Sequence, residues 1–498
     1  MNDRTGRLIV VSNRLPIVVE REGGEWSARP GSGGLVTALA PILRGRGGIW
    51  IGWPGTSETP FLGDFLRRAG GEAGYDLRGV YLTAEEERAF YLGFCNEIVW
   101  PLFHDLLDRC NMDPSYWASY RAVNARFAEV VRASSEPGDI VWVHDYHLMG
   151  VARELREGSG SSVPVHFFLH IPFPPPDIFL KLPWRRQVLE DLLRYDSIGF
   201  QTQRDRHNFT HCLQALMDDA TVRGKGRVIT ATHGPRSVRL GVFPISIDYD
   251  EFARESATEA VARHAWEIHS NLPERQLILG VDRLDYTKGI PHRLRAYRLA
   301  LERHPDLIQK VSLVQVVVPS REDIPEYRAL KAEIEGLVGE INGRFTQHGW
   351  VPIQYMFRGL DRGRLLGYYR TAEIALVTPL KDGMNLVAKE YCACSLEENG
   401  VLILSEFAGA AAQMRGGAIL VNPYDTEGVG DAIHRAFRMD ADERRARMRR
   451  LRQTCRNQDI FWWVGSFLRA AVSRDLGDFP PRGGEGPSRI APEAEGRG

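Results

Sequence analysis

Asp382 and Glu390 stand eight residues apart on either side of a glycine-bearing turn, within the stretch TPLKDGMNLVAKEY, Thr378 to Tyr391. Carboxylates accept hydrogen bonds from hydroxyls, so this pair suits a sugar or a ribose. Just before it, Glu373 to Val377 reads EIALV, an apolar run with the length of a buried parallel strand. Leu386 to Ala393 follows with a helix-forming pattern, and Lys381-Asp382-Gly383-Met384-Asn385 makes the turn between them. A strand, a turn and a helix start place free backbone N–H groups and a positive dipole end at the carboxyl edge of a sheet. Open α/β sheets bind anionic ligands there. The same residues also fit an ordinary βα unit, with Asp382 as N-cap and Glu390 on a solvated face. The stretch alone leaves both readings open.

Further strand ends carry chemistry. Leu277 to Val281 runs into DRLDYTKG, Asp282 to Gly289. Arg283 and Lys288, with a glycine at a strand end, suit a diphosphate; a surface network with Asp282 and Asp285 is the other reading. Val311 to Val318 leads to Arg321. Asp139 to Val143 ends in His144-Asp145-Tyr146-His147, and Val165 to Leu169 ends in His170 before a proline-rich break. Ser197 to Thr202 repeats the strand-then-polar pattern. Trp53, Tyr91 and Trp100 offer flat rings with polar tips, fit for a sugar face or for the core.

These residues need a sheet to hold them. Leu8 to Ser12 is a buried-strand run that stops near Arg14 and Pro16. A glycine-rich loop, Arg29 to Val36, enters the apolar helix pattern of Leu35 to Leu43. It is neither GxGxxG, because Val36 stands where the last glycine belongs, nor a P-loop. Its glycines still let backbone approach a ligand closely, and a tight loop is the plainer account. Around Val242 to Asp248 the chain breaks, and the βα pattern restarts. The expectation is an α/β protein of two halves, 1–247 and 248–457, each with polar strand ends facing a cleft. Asp440-Ala441-Asp442 lies in a charged run that reads as a solvated helix, not a cation site. Gln458 to Ala471 reads as an amphipathic helix, and the residues after it as a disordered tail.

The 498 residues carry 63 basic and 64 acidic side chains, so no global field favours nucleic acid or a membrane surface. No apolar run approaches the ~18 residues of a spanning helix, and no signal-peptide core opens the chain, so a cytoplasmic protein is expected. The six scattered cysteines show no metal-finger spacing and suit reduced packing thiols. The cleft therefore reads as that of an enzyme handling a phosphorylated or nucleotide-linked polar molecule.

Seven motifs in order, SNRLP at Ser12–Pro16, SGGL at Ser32–Leu35, GWPG at Gly52–Gly55, HDYHL at His144–Leu148, HIPFP at His170–Pro174, DRLDYTKG at Asp282–Gly289 and KDGMNLVAKEY at Lys381–Tyr391, closely resemble the trehalose-6-phosphate synthases. The resemblance covers roughly residues 7 to 475. It implies a retaining glucosyltransferase of the GT-B arrangement: two Rossmann-like domains, with a helix at 458–475 packing back on the first and a tail at 476–498. On this resemblance the donor is a nucleoside-diphosphate glucose, with UDP-glucose the family default and GDP- or ADP-glucose compatible with the same residues. Arg283 and Lys288 would hold its diphosphate, with backbone N–H groups near Asn385 and Leu386 and with Gly34 against the phosphates. Glu390 would bind the ribose, and Asp382, Gly383 and Met384 the glucose hydroxyls, with His170 on the sugar's far side. Arg14 and Arg321 would clamp the phosphate of the acceptor, glucose 6-phosphate. Trp53, Tyr91, Trp100 and Asp145 would shape its sugar pocket.

The resemblance further implies a front-face reaction in which the leaving phosphate takes the acceptor proton, no cofactor, no metal, and a homo-oligomer, dimer or tetramer. The stretch Ile17 to Pro30 reads as an insertion. A glycerol 3-phosphate acceptor, giving glucosylglycerol phosphate, and a catalytically silent regulatory subunit are the competing functions. The aromatic acceptor side argues against the first. Retention of Arg283, Lys288, Asp382 and Glu390 argues against the second. A bifunctional synthase–phosphatase is disfavoured because no DxDxT motif occurs.

Overall fold

Leu8 to Val11 is apolar and buried on both faces, as in a parallel strand covered on either side by helices. The same holds for the other central strands of this chain, and it explains why two mainly parallel sheets form. The computed structural model describes residues 6–22, 25–31, 34–56, 62–157, 163–272, 274–321 and 324–472. Ser32 and Gly33 of the glycine loop and the tail at 476–498 lie outside the described residues.

The first sheet is built from β1 (Leu8–Arg14), β4 (Gly48–Trp53), β5 (Asp76–Gly79), β6 (Ile140–His144), β7 (Val165–Phe168), β8 (Ser197–Phe200), β9 (Thr221–Arg223), β10 (Val228–His233) and β11 (Arg236–Val242). Their order is β5-β4-β1-β6-β7-β8-β11-β10-β9, parallel except for the β9–β10–β11 meander. Between β1 and β4 the chain makes a separate hairpin, β2 (Ile17–Glu22) with β3 (Glu25–Pro30). The stretch read as an insertion is this hairpin.

The second sheet holds β12 (Gln276–Arg283), β13 (Val311–Val318), β14 (Ile353–Phe357), β15 (Ile374–Val377), β16 (Val401–Ser405) and β17 (Ile419–Val421). All its pairings are parallel, in the order β14-β13-β12-β15-β16-β17. Asp440 caps the helix Ala441–Asn457 by accepting from the Asp442 and Glu443 N–H groups, which gives that acidic pair a structural role.

The last described helix, Ile460–Val472, returns to the first sheet. Phe467 stacks on Trp142 of β6 at 4.3 Å, and Trp463 Nε1 donates to the Phe243 carbonyl at 3.1 Å. Arg239 of β11 donates to the Ala470 carbonyl at 2.7 Å. No helix among the described residues is long and apolar enough to cross a membrane.

Candidate active site at the facing strand ends

In the second sheet β12 and β15 are neighbours, with β13 and β14 beyond one and β16 and β17 beyond the other. The strand order therefore reverses between them, and the loops leaving their carboxyl ends share one crevice. After β12, Asp285 caps the short turn Tyr286–Lys288 by accepting from the Thr287 N–H at 3.0 Å. Gly289 ends the turn at φ 65°, against the Thr378 carbonyl with no room for a Cβ. Leu380 N–H donates to the Thr287 carbonyl at 2.8 Å, which ties the two loops together.

Lys288 Nζ thereby reaches Asp382 Oδ2 at 2.6 Å, each side chain 14% exposed. Asn385 Nδ2 donates to the same oxygen at 3.2 Å. Asn385, at φ 78°, is the N-cap of the helix Leu386–Cys394, accepting from the Ala388 N–H at 3.2 Å. The reading of Asp382 as N-cap thus fails: the cap is three residues later, and the Asp382 carboxylate is turned onto Lys288. Burial raises that carboxyl, but Lys288, His104 and Asn385 outweigh it and hold it below the ordinary aspartate range.

Glu390 accepts from the Tyr369 hydroxyl at 2.9 Å and is partly buried, so it does not lie on a solvated face. Burial raises its pKa. Met384 is buried and Leu386 half-buried. Arg283 is exposed and has no hydrogen-bond or ion-pair partner among the described residues. Asp285, buried beneath it, is held below its ordinary range against desolvation by Arg321, Arg283 and Lys288. Arg293 is the contrast: it is fully buried, ion-paired to Asp282, and donates to Thr378 Oγ1 and Gln315 Oε1 at 3.0 Å each. One arginine holds the crevice together and the other stands exposed and unpaired at the end of its strand.

The first sheet reverses between β1 and β6. Arg14 ends β1 with its guanidinium 3.9 Å from the Trp53 ring and 5.6 Å from that of Tyr91. Tyr91 stacks on His147 at 5.9 Å. Arg321, at φ 51°, lies 5.0 Å from the Trp100 ring and donates to the Tyr327 hydroxyl at 2.6 Å. Burial pushes the His147 imidazole down to about 3, helped by the charges of Arg321 and Arg14. Trp100 Nε1 and His147 Nδ1 are buried with no hydrogen-bond partner among the described residues. Asp145, at φ 72°, accepts the His170 N–H at 3.1 Å; burial pushes its carboxyl up to about 7. Gly34 begins the helix Gly34–Arg46.

The two halves meet at these ends. A Cβ on Gly383 would overlap the His170 carbonyl oxygen. Lys381 pairs with Asp105 at 2.5 Å, and Arg109 lies 4.8 Å from the Tyr286 ring. Sequence reasoning passed over His104, which accepts no proton readily because burial pushes it down to about 4, and which senses Asp382. It placed His144 and Gln201 at strand ends but gave neither a role, and both contact His170. Their signal was present: each sits at the end of a strand already recognised. No group of three or more His, Cys, Asp or Glu able to hold a metal ion occurs among the described residues.

A model of glycosyltransferase family 20 matches residues 6–473. The chain belongs to glycosyltransferase family 20. A trehalose-6-phosphate synthase of Mycolicibacterium gilvum is 42% identical over 475 residues, 94% of each chain. Among solved structures, the UDP-forming alpha,alpha-trehalose-phosphate synthase of Burkholderia xenovorans in complex with glucose-6-phosphate superposes with a TM-score of 0.84 at 34% identity, covering 94% of this chain and all (100%) of that one. An E. coli structure bound with UDP-2-fluoro glucose superposes with a TM-score of 0.83 at 36% identity, covering 94% and 99%. The two-sheet α/β architecture of this family 20 chain is therefore GT-B, with the returning helix Ile460–Val472 as its closing element.

Proposed function

We propose that this family 20 glycosyltransferase moves glucose from a nucleoside-diphosphate glucose, UDP-glucose first, to glucose 6-phosphate, with retention, giving α,α-trehalose 6-phosphate. The observation that carries the reading is the Lys288–Asp382 pair with unpartnered Arg283 beside it, at the strand-order reversal of the second sheet. Arg283, Lys288 and the backbone N–H groups at the start of Leu386–Cys394 would stabilise the departing diphosphate. Asp382, Gly383 and Met384 would hold the glucose, with His170 across from them, and Glu390 the ribose; Gly34 would approach the phosphates. Arg14, over the Trp53 and Tyr91 rings, and Arg321, over the Trp100 ring, would clamp the acceptor phosphate, with Asp145 completing the sugar pocket. The chain is read as dividing at 247/248, with the donor mainly on the second half and the acceptor mainly on the first; Gly34 and His170 reach the donor, and Arg321 the acceptor, from the opposite half.

In this reaction the bond from the anomeric carbon to the diphosphate oxygen breaks while the acceptor's anomeric hydroxyl oxygen bonds to the same face. The hydroxyl proton passes to the departing phosphate oxygen. No side chain is the nucleophile: Asp382 is already engaged by Lys288 and positions the sugar. UDP-, GDP- and ADP-glucose assayed against glucose 6-phosphate and glycerol 3-phosphate, following nucleoside diphosphate release, test this. Release with UDP-glucose and glucose 6-phosphate is expected. Release only with glycerol 3-phosphate, or a trapped glucosyl–Asp382 adduct, would overturn the acceptor or the mechanism respectively.

A further inference from the structure

Strands β6, β7 and β8 lie side by side and parallel. Their carboxyl ends therefore put His144, His170 and Gln201 along one edge of the first sheet. Gln201 is buried, and its two amide ends face different partners. Oε1 accepts from the Ile245 N–H at 2.8 Å, while Nε2 lies 3.4 Å from His170 Nδ1. His170 Nε2 lies 3.1 Å from His144 Nδ1.

A backbone N–H only donates, so the end of the Gln201 amide facing Ile245 is its oxygen and the NH2 end faces His170. An NH2 also only donates, so His170 Nδ1 accepts. The proton of a neutral imidazole is then on Nε2. Burial pushes His170 down to about 3, which keeps the ring neutral near pH 7. Its Nε2–H donates to His144 Nδ1, leaving the His144 proton on Nε2, an atom buried without a partner. The opposite tautomer would set two donors against each other at Gln201.

We propose that Gln201 is a positioning residue that fixes His170 as the Nε2–H tautomer, so that the neutral ring is held from both nitrogens, between Gln201 and His144, in one orientation. Its importance for turnover rests on the reading of this cleft as the donor-sugar site. The anchor is set from the other half as well. Ile245 lies between the two sheets, and its carbonyl accepts from Lys389 Nζ at 2.7 Å; Lys389 is on the helix that carries Glu390.

Long-range 1H–15N spectra of the full chain labelled at its 14 histidines test this, with the His170 signal assigned by its loss in His170→Gln. The wild type is expected to show the Nε2–H pattern. Gln201→Glu keeps an acceptor for the Ile245 N–H but offers only acceptors to the ring. It is expected to draw the proton to Nδ1 and lower kcat by about tenfold, roughly one hydrogen bond, without changing KM for glucose 6-phosphate. An Nδ1–H pattern in the wild type overturns the proposal, and so does an Nε2–H pattern retained in a Gln201→Glu protein of unchanged melting temperature. If Gln201→Glu does not fold, the wild-type spectrum decides alone. The expected tautomers in a chain that transfers no glucose would support the positioning role and overturn the functional reading.

Discussion

Lys288 and Asp382 form a 2.6 Å ion pair between loops that leave neighbouring strands on either side of a strand-order reversal. Neither charge is far from the cleft, and neither is free of the other. Removing one leaves its partner nearly buried and unmatched.

Asp382→Ala is expected to abolish turnover and to lower the unfolding free energy by about 3–5 kcal/mol, the penalty for an orphaned buried charge. Glu390→Ala, losing a single acceptor of the Tyr369 hydroxyl, is expected mainly to raise the donor KM. Steady-state kinetics and urea unfolding of both variants decide. Equal, mild losses in the two would sink the division of labour.

Arg283 ends β12 and Arg293 lies on the helix Ile290–Arg303 after it, and the two answer to different forces. Arg283→Ala should leave the melting temperature unchanged and lower kcat/KM by about 10²–10³-fold, as when a transition-state donor is lost. Arg293→Ala should destabilise by about 3–5 kcal/mol, because Asp282 stays buried without its cation. Thermal scans beside donor titrations separate them; a destabilised Arg283→Ala would contradict its unpaired state.

Asp145 links stability to pH. Burial raises its carboxyl to about 7, against about 3.9 in an unfolded chain. Between these values the folded protein keeps a proton the unfolded chain has released, so this contribution to stability falls as pH rises from about 4 to about 7. Asp145→Asn retains an oxygen for the His170 N–H and does not titrate. Urea unfolding at pH 5 and pH 7 should show a flatter dependence in the variant. The same difference in both proteins would remove Asp145 as its source.

Gly383→Ala would drive a methyl group into the His170 carbonyl across the cleft. Activity is expected to fall by about 10²-fold, the scale of a 1 Å misplacement of reacting groups, with the melting temperature lowered only slightly. A fully active variant would show that the two loops separate during turnover.

The strands were legible because their runs are apolar throughout, as Leu8–Val11 and Ile374–Val377 show. The residues just past them were legible because strand ends are where an α/β sheet does chemistry. What sequence could not give was pairing over distance: β12 and β15 are separated by two intervening strands in the chain, and only the assembled sheet brings Lys288 to Asp382. Local backbone choices were hidden too. Asn385 takes the cap because it tolerates positive φ, which freed Asp382 for Lys288. Tyr91 and Trp100 lie along Glu87–Val99 and its continuation, wound as a π-helix before returning to α, a winding no 3.6-residue pattern announces.

The helix Ile460–Val472 also sets an order of events during synthesis. All the strands of the first sheet are complete by Val242, yet the face bearing Trp142 and Phe168 is covered by Trp463 and Phe467. More than two hundred residues must leave the ribosome before that cover arrives, as the positions of Val242 and Trp463 require. The half made first is therefore finished last, and in the interval its aromatic face is exposed to chaperones and to other nascent chains.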